Sequence, residues 1–433
     1  MGNQDNLPPS RHFDVSGRGF KSLTTTRDAL KLVTSRLARN TVENEAVPVS
    51  SALHRILSED LVSPVDVPGF DRAAMDGYAV RTEDTYGASL NSPITLKHTI
   101  GANVGRAVVK KGEASLVVTG GQMPEGADAV VMSEYAKESS DGAVEVSAEV
   151  HPTENVSRIG EDLRKGTLVL RAGERLLPQD IGMLAYLGYT NVKVKRRLKI
   201  AVLSTGNEIH DGPTAAPGKI RDVNRPTLIN AIREIGCEPV DLGIAADDVE
   251  VIRSRLKEAM AGADITLVTA GTSVGPRDFV PQVIDALGEP GLLVHGVAMR
   301  PSMPTGLGII DGKPIISLPG YPVSAYLAFL EFIPSLVDTM LGTGHLPRPV
   351  VKAKMVRRIA GVLGSKTYVR VRVRKKNDTA YAEPVSASGA GILSSLVRSN
   401  GFLIIPENVE GYEEDELVEV ELFRPVESSN ADT

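Results

Sequence analysis

Along the chain, apolar positions change period several times, and each change marks a different kind of element. From Thr25, Leu30, Val33 and Leu37 recur at helical spacing, and Thr25 with Asp28 has the spacing of a capping box, so a first helix is predicted there. A second short helical stretch is expected after Ser51, leading to Pro64 and Pro68. Extended segments broken by Gly, Pro and Asn then run to about Val150 and read as a mainly β region. Between 155 and 194, the apolar run 168–170 is followed by a helix over 178–187 closed by Gly188.

The strongest pattern lies between 198 and 342, where short apolar strands alternate with helices in the order that builds a parallel sheet. Strands are predicted over 199–203, 240–244, 265–269, 292–297 and 314–318. A helix begins near Pro226, with Leu228, Ile229, Ile232 and Ile235 on one face and a stop at Gly236, and a long helix covers 321–341. Beyond Pro347 the period returns to two, with Val369, Val371 and Val373 set against Arg370, Arg372 and Arg374. The fold class expected is therefore multi-domain α/β. A central three-layer α/β domain with a parallel-rich sheet (197–345) is joined by an inserted β-rich domain (66–150), an N-terminal helical/β linker (21–65 with 151–196) and a small C-terminal β domain (346–425). The polar residues 1–20 read as a disordered tail without the apolar core of a secretory signal.

Composition narrows the function. The formal net charge is −6 and no basic block forms a nucleic-acid footprint, so an anionic ligand must be met by positive charge local to a site. Cys237 is the single cysteine, which excludes an intrachain disulfide framework and a thiolate zinc cluster and fits a reducing, cytoplasmic setting. No 18 apolar residues run together, so no membrane span is expected.

In an open parallel sheet the loops after the strands gather on one rim, where ligands bind. Here they read STGNE (204–208), AGTSVGPRD (270–278), MRPSMP (299–304) and LPGYPVS (318–324). Glycines such as Gly271 and Gly275 let the backbone approach a ligand, and helix N-termini offer free N–H groups, so the rim suits an oxyanion or phosphate. Glu208, Asp247, Asp248 and Asp278 each follow a strand closely, and hard oxygen ligands beside phosphate suit Mg²⁺. Asp247 or Asp248 alternatively caps the helix over 252–260. Arg277 and Arg300 either bind an anion or pair with surface carboxylates.

Five segments in order, DVPGFDRAAMDGYAVR (66–81), MPEGADAV (123–130), RIGED (158–162), STGNE (204–208) and LPGYPVS (318–324), resemble the signatures of the molybdopterin molybdenumtransferases. That family includes bacterial and archaeal MoeA and the E domain of gephyrin, and the resemblance spans about 25–423. It implies insertion of molybdate into adenylylated molybdopterin, with release of AMP and the molybdenum cofactor. It also implies a homodimer whose sites lie between the α/β domain of one subunit and the inserted β domain of the other, and an adenylyltransferase as a further partner. Carried onto matching positions, it places Asp76 and Thr119 at the intersubunit cleft and Asp162, Glu208 and Asp278 among the essential acids. Glu208, Asp248 and Asp278 stand as candidate metal ligands. Ser273 and Arg300 fall in oxyanion loops, and Pro319 and Pro322 in the rim loop. The chain departs from the family at Ala270, where a glycine pair is common, at 300–304, where Lys-Pro-Gly-Lys-Pro is common, and at Tyr321, where Asn is usual. Arg300 keeps the charge and Met303 loses one, which leaves molybdate and tungstate both open. Two other readings are the preceding adenylylation step, whose enzymes share the α/β domain alone, and a gephyrin-like dimeric scaffold.

Overall fold

A computed structural model describes residues 22–37, 42–99, 108–214, 217–269, 279–344, 347–386 and 389–428. The tail expected over 1–20 lies outside the described residues. The chain divides into two compact units, the first comprising 1–45, 54–56 and 194–433, the second 46–53 and 57–193.

The first unit is organised by a six-stranded sheet. Its strands are β1 (Lys199–Thr205), β2 (Glu238–Ala245), β3 (Ile265–Thr269), β4 (Pro290–His295), β5 (Gly306–Ile310) and β6 (Lys313–Leu318), in the order β2-β1-β3-β6-β5-β4. The first four in that order are parallel, but β5 runs antiparallel to both β6 and β4. The sequence pattern does not reveal β5, because its alternation is interrupted by Gly306 and Gly308. There a Cβ on Gly308 would lie 2.7 Å from the Gly291 carbonyl oxygen. Two reversals restore the direction of β4, so its C-terminal end reaches the same rim as those of β1, β2, β3 and β6.

Period-two alternation divides the core into two faces. Ile200 and Val202 face one side with Leu267, Ile316 and Leu318; Ala201 and Leu203 face the other with Val268 and Ile315. The first face is covered by α1 (Thr26–Thr34), α2 (Asn224–Glu234) and α5 (Pro322–Leu341), the second by α3 (Val249–Gly262) and α4 (Val280–Leu287). This is the expected three-layer arrangement. Helix α1 starts as its sequence predicts, with Thr25 as N-cap accepting from the Asp28 N–H. Its buried Ala29 and Val33 enter the first core face, and the helix falls in the first unit. Helix α5 is long and apolar enough to cross a membrane by length and composition alone, but 78% of its most apolar window is buried in this core.

A C-terminal sheet belongs to the same unit, with β7 (Val350–Met355), β8 (Lys366–Lys376), β9 (Thr379–Ser386), β10 (Gly401–Ile405) and β11 (Leu417–Leu422). It is fastened to the α/β layers. Tyr368, Leu396 and Phe402 join the first core face, and on α5 the buried Glu331 carboxylate accepts from Lys366 Nζ at 2.8 Å and Tyr368 Oη at 2.6 Å. Burial, with Glu331 alongside, drives the Tyr368 phenol far above its ordinary range. The Val/Arg alternation of β8 holds, with Val369, Val371 and Val373 in the core of this sheet, but its other face is covered as well: Arg370, opposite Phe402, is 2% exposed and donates from Nε to Ser395 Oγ at 3.2 Å.

The second unit holds a six-stranded, mainly antiparallel sheet in the order Ala129–Met132, Gly77–Val80, Glu113–Val117, Ile94–His98, Ala143–Val146 and Ala136–Glu138. Tyr78, Val80, Leu96, Val131, Val144 and Val146 fill its core. The helical stretch expected after Ser51 is not formed. A single 3-10 turn covers Val49–Ser51, and Leu57 is instead held extended, exchanging backbone bonds with Gly173 and Glu174.

One ion pair in the first unit sets an acid dependence. Asp264 accepts bidentate bonds from Arg196 at 2.8 and 2.7 Å and one from the Lys199 N–H at 2.7 Å. Burial works against its charge, but these donors prevail and hold the carboxyl below its ordinary value. A depressed carboxylate contributes stability that is complete above the unfolded value, about 4, and is lost as pH falls through the folded one. Asp264→Asn is therefore expected to lower stability at neutral pH and to flatten its decline below about pH 4. Urea denaturation midpoints measured against pH give the comparison, and an unchanged acid limb would refute the assignment.

Candidate functional site

The rim at the C-terminal ends of the parallel strands is where the first unit concentrates its irregular, polar backbone. After β1 the chain turns at Gly206, whose φ of 145° favours glycine and whose absent Cβ would lie 2.9 Å from Glu208 Oε1. Glu208 itself is exposed. The neighbouring Asn207 and Asp247 bond reciprocally: the Asn207 N–H donates to Asp247 Oδ2 at 3.0 Å and the Asp247 N–H to Asn207 Oδ1 at 3.2 Å. This joins the loops after β1 and β2. Asp248 is the N-cap of α3, its Oδ1 accepting from the N–H groups of Glu250 at 2.9 Å and Val251 at 3.0 Å. Of the two roles left open by the sequence, the structure shows the capping one.

Two further loops complete the described part of the rim. In 299–305, Arg300 is exposed and has no carboxylate partner among the described residues. Met303 contributes its carbonyl, which accepts from the Val297 N–H, and the buried Ser302 donates from Oγ to the Ser324 carbonyl at 2.7 Å. That bond fastens the Arg300 loop to the start of α5, where Pro319 and Pro322 stiffen the turn and Pro322 takes the first helical position. From the C-terminal sheet side, the Ala390 carbonyl accepts from the Val323 N–H, and Tyr321 packs its ring beside Gly391. The segment 270–278, with Gly271, Ser273, Gly275, Arg277 and Asp278, lies outside the described residues.

Sequence reasoning did not find the clamp beneath this rim. Arg225, at the start of α2, donates from Nη1 to Asp241 at 2.8 and 2.9 Å, from Nη2 to Asp211 at 2.8 Å and from Nε to Asp222 at 3.2 Å. Its neighbour Asn224 donates from Nδ2 to the Gly320 carbonyl at 2.7 Å. The three carboxylates come from separate places in the chain, and only the fold brings them to one guanidinium.

The second unit assembles a separate polar cluster. Asp76 Oδ1 accepts from the Thr119 N–H at 2.7 Å and from Thr119 Oγ1 at 2.8 Å. The backbone N–H foremost, then the hydroxyl, hold the Asp76 carboxyl below its ordinary value, so it is a committed anion. The segments 66–77, 118–123 and 154–163 are laced together. Ala73 exchanges backbone bonds with Gly120 and Gly121, the Met123 N–H donates to the Asp71 carbonyl, and the Ile159 N–H donates to Asp71 Oδ1 at 2.7 Å. Exposed Asp162 is fixed by its own N–H, which donates to the Val67 carbonyl at 3.0 Å. The structure thus joins the glycine- and acid-rich segments after Asp66 and after Val118, which residue type alone leaves as turns, to each other and to 154–163.

Both clusters fall within stretches that match known protein families. Sequence profiles match three stretches: the MoeA N-terminal region (domain I and II) over 24–188, a domain described as "Probable molybdopterin binding domain" over 201–338, and the MoeA C-terminal region (domain IV) over 352–423. A molybdopterin biosynthesis protein of Methanocaldococcus jannaschii is 39% identical over 417 residues, covering 94% of this chain and 99% of the relative. The molybdopterin molybdenumtransferase of Haemophilus influenzae is 32% identical over 384 residues, covering 88% and 94%. The crystal structure of the molybdopterin biosynthesis moeA protein of Pyrococcus horikoshii OT3 superposes with a TM-score of 0.80 at 34% identity, covering 93% of this chain and all of that one.

Proposed function

We infer that this chain, which belongs to the MoeA family of molybdopterin molybdenumtransferases, inserts molybdate or tungstate into adenylylated molybdopterin and releases AMP. It is an enzyme of molybdenum cofactor biosynthesis. The observation that carries the finer reading is the rim of the first unit. An exposed carboxylate, Glu208, follows β1, and an exposed guanidinium without a carboxylate partner among the described residues, Arg300, follows β4, both within the stretch matched by the molybdopterin-binding profile.

The chemistry needs a place for two anions, the adenylyl phosphate and the incoming oxyanion. Arg300 offers the oxyanion a fork of N–H donors, whereas the starts of α2 and α5 have few N–H groups to give to phosphate: Arg225 N–H donates to Asp222, Val323 N–H to the Ala390 carbonyl, and Pro226 and Pro322 have none. Mg²⁺ is the proposed cation, with Glu208 and Asp278 as its ligands. A site with few protein carboxylates, completed by water and substrate phosphate, suits Mg²⁺. Asp248 contributes less to it than the sequence suggests, because its Oδ1 is engaged in the α3 cap. When bound, the cation would offset the charge of the leaving phosphate. Asp76, Thr119 and Asp162 are proposed to meet the substrate from the second unit of the partner subunit in a cytoplasmic homodimer. An adenylyltransferase would supply the substrate.

Incubating the protein with adenylylated molybdopterin, Mg²⁺ and molybdate tests this reading. AMP release supports transfer. Pyrophosphate made from ATP and molybdopterin would instead show the adenylylation step, and neither product would leave a scaffold. Within that assay, Arg300→Ala is expected to raise the oxyanion concentration for half-maximal rate by roughly tenfold or more, the scale of one charged hydrogen bond. Equal half-saturation of wild type and variant for both molybdate and tungstate would mean that the oxyanion binds elsewhere.

A further inference from the structure

Asn224 has an atom that nothing in the rim explains. The residue is 7% exposed and opens α2, an eleven-residue helix whose start faces the C-terminal ends of the parallel strands. Its Nδ2 donates to the Gly320 carbonyl, an acceptor only, so turning the amide over would destroy that bond and the orientation is fixed. The remaining atom, Oδ1, is buried and has no hydrogen-bond partner among the described residues. Buried acceptors are paired in the great majority of folded proteins, and an exception in a ligand-binding rim points to a missing partner. Because Oδ1 and Nδ2 share one carbon, the unpaired oxygen lies beside the same loop as Gly320. That loop is poor in donors, since Pro319 and Pro322 have no N–H.

We propose that Asn224 is a substrate-contacting residue of this rim, its Oδ1 accepting a hydrogen bond from an N–H or O–H of the bound adenylylated pterin while its Nδ2 fixes the Gly320 carbonyl. The proposal rests on the transferase reading above. The substrate carries suitable donors on both halves: the adenine amine and ribose hydroxyls on one, the pterin amine and ring N–H on the other. One amide would thus tie the position of the rim loop to the presence of substrate.

Three full-length proteins decide it: wild type, Asn224→Leu, which removes both amide functions at similar volume, and Asn224→Asp, which keeps an acceptor but loses the donor to Gly320. Binding of adenylylated molybdopterin and of AMP is measured by calorimetry, beside the melting temperature of each unliganded protein. Asn224→Leu is expected to melt like wild type and bind adenylylated molybdopterin roughly tenfold more weakly, with Asn224→Asp weakened less. The same loss toward AMP assigns the donor to the nucleotide half; AMP affinity unchanged assigns it to the pterin half. Should leucine lower the melting temperature, Asn224→Ser, which is smaller, takes its place in the same comparison. Wild-type affinity in the folded leucine or serine variant overturns the proposal, and so does an aspartate variant as weak as leucine, which would confine Asn224 to holding the loop. If wild type itself neither binds adenylylated molybdopterin nor releases AMP, the transferase reading fails and the proposal with it.

Discussion

Glu208→Ala is expected to slow AMP release by roughly a hundredfold or more while leaving the melting temperature of the protein unchanged, the scale seen when a preorganised electrostatic group is removed from a reacting centre. The two halves of that expectation have separate causes. Glu208 is exposed and its carbonyl, which accepts from the Ile220 N–H, survives in alanine, so the fold loses little. The carboxylate, by contrast, is held over Gly206, close enough that a Cβ there would lie 2.9 Å from Oε1. Its place on the rim is therefore set by the turn. Glu208→Gln separates charge from size: if the negative charge is what matters, glutamine should be nearly as slow as alanine. AMP release within a fewfold of wild type in Glu208→Ala at saturating Mg²⁺ would remove Glu208 from the chemistry.

The largest expected effect on stability belongs to Gly77→Ala in the second unit. Gly77 is paired with both Val117 and Met132 in the ladder, and a Cβ there would lie 2.0 Å from the Val131 carbonyl oxygen and 2.9 Å from the Val131 carbonyl carbon. Both obstacles are backbone, so no side chain can swing aside and one strand must move. A loss of about 3 kcal/mol or more is expected, at the upper end of overpacking costs. Denaturant unfolding followed by a probe in the second unit measures it. Since Gly77 follows Asp76, a displaced strand also shifts the carboxylate relative to Thr119, and transfer activity should fall with stability. A cost below about 1 kcal/mol would mean that the strand spacing at Gly77 is wider than described.

What the sequence reveals and what it hides follow from the range of the interactions. Alternation such as Ile200, Ala201, Val202, Leu203 is local and determines which face each residue covers, so the layers of the first unit are legible without coordinates. The direction of β5 is not, because it depends on which neighbours a short glycine-broken strand finds. The helix expected after Ser51 fails for a similar reason: Leu57 satisfies its backbone with residues more than a hundred positions away. Arg370 shows the same limit within a strand, where a clean alternation does not tell that the face opposite the valines is covered too, by Ser395 among others. At the site, glycine-rich loops and rim carboxylates are visible as residue types. The capping duty of Asp248, the three-carboxylate clamp on Arg225 and the Asn224 oxygen without a partner among the described residues arise only from the folded backbone and from distances between segments.

The Glu331 contact with Lys366 and Tyr368 has an evolutionary side. Helix α5 begins at the rim loop and carries Glu331 about two and a half turns on, so the same rigid rod meets the C-terminal sheet at one point and sets the turn at 319–322 at another. A lineage cannot exchange its C-terminal module for another without also resetting the pitch of that rod. The position of the rim turn is then inherited as a property of the whole first unit, and shifting it has many more positions to draw on than those in the turn itself.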